Sequence, residues 1–122
     1  MIIYAMITAM LGMIVAVAHS VLSERVLLGP LYRERSDGML TQKPTRDIIR
    51  AVVHMPSMAW AGLAIGVLVN RMLGGGDVLP VLTIIIFAIS GAMNLIALRK
   101  AHPGGIILLT MAFTTFADLW TY

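Results

Sequence analysis

Val78–Leu98 reads VLPVLTIIIFAISGAMNLIAL, 21 positions without one charged side chain. The hydrocarbon core of a bilayer is about 30 Å thick and takes about 20 apolar residues of helix to cross. Three more stretches have this character. Residues 1–22 are uncharged, 48–70 carry only Arg50 near their start, and 104–122 carry only Asp118 near their end. Inside a bilayer each segment must satisfy its own backbone, which selects helices. The apolar/polar alternation of a membrane β-barrel is absent. The sequence therefore predicts an all-α, integral membrane four-helix bundle, one domain over 1–122, with helices near 1–22, 48–70, 78–98 and 104–122 and a long loop at 23–47.

Composition supports this reading. Of 122 residues, 59% are hydrophobic and 12% charged. Soluble domains carry about twice that charge. A nucleic-acid module relying on many phosphate-neutralising cations is excluded, so no nucleic-acid partner is expected. The chain has no cysteine, which removes disulfides, thiolate nucleophiles and iron–sulfur clusters.

Punctuation lies between the runs. Pro44 and Thr45 end the first loop and offer a helix N-cap, Gly74–Gly76 make a turn, Asp77 can cap the third helix, and Pro103 with Gly104 and Gly105 separates the last two. Eight of the nine Lys and Arg residues lie in or beside the first and third connections, and Arg71 alone lies in the second. The positive-inside rule places those two connections in the cytoplasm and both termini outside, in a bacterial inner membrane. Ala16-Val17-Ala18 has the small-residue form of a signal-peptidase site, but no positive region precedes it, so the first helix is expected to be retained.

Small residues predict close helix seams at Ala5, Ala9, Gly12, Ala16 and Ser20, at Gly62 and Gly66, and at Ala88 and Ala92, formed within the chain. Thr83, Ser90 and Asn94, and Thr110, Thr114 and Asp118, read as hydrogen-bonding faces, with Asp118 close enough to the interface to reach water. Met6, Met10 and Met13, with Met55 and Met58, read as packing or lipid-facing surface rather than a copper site.

The candidate chemistry is at the cytoplasmic ends. His19, His54 and His102 all fall there, with Glu24 nearby. Imidazole both titrates near neutrality and binds metals. No HxxxH or HExxH spacing occurs, and in an ideal helix Glu24 points roughly 140° away from His19. His19, Glu24 and His54 are nonetheless expected to meet, as a hydrogen-bonded lock or a ligand site, if the chain turns after Ser23. Pro56 withholds a backbone N–H beside His54. Arg46, Arg50, Arg99 and Lys100 are candidate contacts for anionic lipid.

His19-Ser20-Val21-Leu22-Ser23-Glu24, His54 before Trp60, and Ala101-His102-Pro103-Gly104 together resemble an uncharacterised family of small bacterial four-helix membrane proteins. The resemblance implies the fold and no activity. Small multidrug-resistance transporters are of similar size but carry a Glu well inside the first helix. This chain has no carboxylate before Glu24.

With no nucleophile–base pair or paired carboxylates legible, the sequence gives no reason to expect an enzyme. The first expectation is a structural or accessory subunit that packs on a larger membrane complex or on itself, with the bilayer as its other partner. The second is a ligand-binding module whose histidines hold haem, quinone or metal. The third is an oligomeric transporter or channel.

Overall fold

A computed structural model describes residues 2–34 and 37–121, and no strand occurs among them. Helix α1 (Ile3–Leu22) runs on through a π-helical turn (Ser23–Leu28) into α2 (Gly29–Glu34). A short 3-10 turn (Gly38–Thr41) leads to α3 (Lys43–Met72). The chain ends with α4 (Val78–Leu98) and α5 (Pro103–Trp120). Four helices are long and apolar enough to cross a membrane: Ile3–Glu34, α3, α4 and α5. The fold is an all-α four-helix bundle of membrane-spanning character.

The expected loop at 23–47 is mostly helix, and the prolines explain the difference. In an α-helix Pro30 would crowd the carbonyl of Val26 and leave it unbonded. The wider π turn ahead of Pro30 makes room, and Gly29 N–H closes it on the Glu24 carbonyl. Pro44 starts α3 rather than stopping a loop. It sits in the first turn, where no N–H is needed, and Gln42 rather than Thr45 is the N-cap. Asp77 occupies the N-cap of α4 without a side-chain bond. At α5 the cap is His102, whose Nδ1 accepts the Gly104 N–H at 3.2 Å.

Helix α1 packs against α3 and α5, α5 against α4, and α4 more lightly against α3, which closes the ring α3–α1–α5–α4. The shared core contains Val15, Trp60, Ala64, Phe87, Leu108 and Met111. Gly12 makes the α1–α3 seam: a Cβ there would overlap the Ala64 Cβ and lie 3.3 Å from Met111 Cε. Of the other small-residue seams, Ala88 packs against the shared core and the rest differ from expectation. Gly62 meets nothing, and Gly66 faces only a Leu79 side chain at 3.5 Å. Helix α4 makes its close crossing at Gly91, where an added Cβ would be 3.0 Å from the Gly105 carbonyl oxygen of α5, while Ala92 is exposed. The five methionines named above all face outward.

Candidate functional site

The first cluster grows from the π turn. Each residue of a π-helix advances less around the axis than in an α-helix. Glu24 is thereby brought toward α3, although the helix continues instead of turning away after Ser23. Glu24 Oε1 accepts from Arg50 Nε at 2.8 Å and from His54 Nε2 at 2.9 Å. His54 is held at both nitrogens, because its Nδ1 lies 3.1 Å from Ser20 Oγ. Ser20 in turn donates to the buried Ser57 at 3.0 Å. The α2 extension reinforces this latch: Tyr32 donates to the Arg46 carbonyl at 2.9 Å, and the Arg46 and Arg50 guanidinium groups lie 5.4 and 5.7 Å from its ring centre.

His19 faces another way. Its Nε2 is 3.1 Å from the Val53 carbonyl, and its ring meets Trp60 edge-on at 5.1 Å. A carbonyl only accepts, so Nε2 carries a proton, and the lone pair of the neutral form would be at Nδ1. His19 and Trp60 form part of the wall of a cavity of about 400 Å³ at the histidine end of the bundle. Val26 and Leu27 of the π turn, Asn94 of α4 and the capping His102 also line it. The Asn94 Oδ1 is buried without a hydrogen-bond partner among the described residues.

The four residues Glu24, His54, His19 and His102 thus divide into two groups. Glu24 and His54 form the latch. His19 and His102 line the cavity, which His54 does not. Both His54 nitrogens are engaged, so a haem held between His19 and His54 does not fit this arrangement. Among the described residues no three metal-ligating side chains come together. The four candidate lipid-contact cations do not act as one set either. Arg46, through its bond to the Leu40 carbonyl, and Arg50 are tied into the latch region. Arg99 ends α4 in a left-handed conformation with φ 50°, and Lys100 follows it, exposed.

The opposite end of the bundle holds a pair that sequence reasoning missed. Asp118 is buried at 4% exposure, with its Oδ1 3.6 Å from Arg71 Nε. Below it Thr8 Oγ1 bonds Thr114 Oγ1 at 2.7 Å, linking α1 to α5. The lone cation of the second connection was the available signal, since Arg71 and Asp118 both fall at that end.

In comparison with known proteins, the chain matches no family model, no curated protein and no solved structure. Fold and site together describe a helical membrane bundle with an open, mostly apolar cavity beside a polar latch.

Proposed function

We propose that this protein is a membrane-embedded binding module for an uncharged, lipid-soluble small molecule, held in the cavity among α1, α3, α4 and α5. The observation that carries this reading is the cavity itself, about 400 Å³ with mostly apolar walls and a few polar groups. Ligand pockets between helices of bundles have this size and makeup. Asn94, His19 and His102 supply those polar groups. Among the described residues no Lys, Arg, Asp or Glu side chain lines the cavity, which suits a neutral occupant. The accessory-subunit expectation draws on composition alone, since outward apolar residues are what lipid itself requires.

The same proposal sets the protein in a bacterial inner membrane, with the latch and cavity at the cytoplasmic side. The support is the distribution of Lys and Arg.

The test is native mass spectrometry of protein extracted with its own lipids. A single small-molecule adduct is expected on the wild type and not on Ala18→Phe, which places a ring in the cavity from a position on its wall. The same adduct on both proteins, or none on either, rejects the reading.

A further inference from the structure

We infer that the cavity selects a hydroquinone-type ring over the corresponding quinone. This inference rests on the binding reading above and adds to it the chemistry of the ligand.

The argument follows from which protons the fold has already placed. The Val53 carbonyl requires a proton on His19 Nε2, so in the neutral ring Nδ1 is an acceptor. On the other wall, the Gly104 N–H can only donate, so the His102 Nδ1 that receives it is unprotonated. The neutral His102 ring then carries its proton on Nε2, a donor. The two imidazoles of one cavity therefore have opposite polarity, and each is locked by a backbone group that cannot reverse its role. Asn94 adds an amide side chain to the lining. A matching ligand is apolar in body and uncharged, with a hydroxyl to give His19 Nδ1 and a second oxygen to receive from His102 Nε2. A hydroquinone has both. A quinone has two acceptors and no donor, which leaves the His19 lone pair opposed to a carbonyl. Trp60, edge-on to His19, adds an aromatic wall for a flat ring.

The experiment compares three ligands of one ring system: 1,4-naphthohydroquinone, 1,4-naphthoquinone and naphthalene. Each is titrated anaerobically into the detergent-solubilised full chain by calorimetry. A chain without cysteine tolerates the reductant that keeps the hydroquinone reduced. Leaving one buried polar group unmatched weakens binding by about tenfold, so the hydroquinone should bind about tenfold more tightly than the quinone. Naphthalene should bind most weakly. Two variants separate recognition from folding. His102→Asn keeps an N-cap acceptor for Gly104 but removes the Nε2 donor. Asn94→Leu removes an unpaired buried oxygen and should not lower thermal stability. Each should weaken hydroquinone binding about fivefold or more and leave naphthalene unchanged.

Equal affinity for all three rings, quinone preference, or hydroquinone binding indifferent to both variants overturns the inference. If all three bind alike and Ala18→Phe abolishes each, the binding reading stands and only the ligand chemistry falls. If none binds, this inference fails, and the adduct comparison decides the broader reading by itself.

Discussion

The Glu24 carboxylate lies 2.9 Å from the His54 ring and 2.8 Å from the Arg50 guanidinium, tying the π turn of the first helix to the opening turns of α3. The other face of that turn, at Val26 and Leu27, is cavity wall. The contact thus holds a cavity-lining segment in position.

Coupling between these residues is the first prediction. Glu24→Gln and His54→Gln should each lower Tm, and the double variant should lower it by clearly less than the sum. Residues in one network depart from additivity where independent sites do not. Strictly additive shifts would show that the contact contributes nothing in the membrane.

The two glycine environments give the second. Gly12→Val forces a side chain into Ala64 and should cost about 1–3 kcal/mol, the usual range for overpacking. Gly62→Val meets open space and should stay within about 0.5 kcal/mol. Reversible unfolding in mixed micelles measures both, and equal effects would displace the seam from Gly12.

Arg71 and Asp118 form the third. Arg71→Met leaves a carboxylate at 4% exposure without this counter-charge and should destabilise by about 3 kcal/mol. Adding Asp118→Leu should restore most of that loss. If the double variant is as unstable as the sum of the single ones, the two groups are not a pair.

Orientation is the fourth. An alkaline phosphatase fused after Tyr122 should be active, and a green fluorescent protein at the same position dark. The reverse pattern would put His19 and His54 on the outer side.

The apolar runs made the four spans legible, because a bilayer imposes length and composition on each helix separately. Relationships between helices were less accessible. His19 and His54 were placed at one membrane face by topology, but the π turn that delivers Glu24 leaves no trace in hydropathy, and Pro30 is its single sequence cue. Gly91 was overlooked because its counterpart, Gly105, lies in the next helix, whereas the expected seams came from spacing within one helix. Asn94 read as interhelical glue, and only the packed bundle shows its amide oxygen unpaired. Asp118 was expected near water, and its burial depends on how α5 packs and on an arginine in another helix.

The order α3–α1–α5–α4 has a consequence for how the chain is assembled. Helix α1 precedes α3, α4 and α5 in the chain, yet one of its two main neighbours, α5, is separated from it by both of the others. Helix α1 can pair with α3 early through Gly12 and Ala64, but its Thr8 and Val15 side waits in lipid until α5 arrives with Thr114 and Leu108. Closure of the bundle therefore waits for α5. A chain that has not yet inserted α5 leaves the Thr8 hydroxyl without its Thr114 partner, a feature by which membrane quality control can distinguish the open bundle from the closed one.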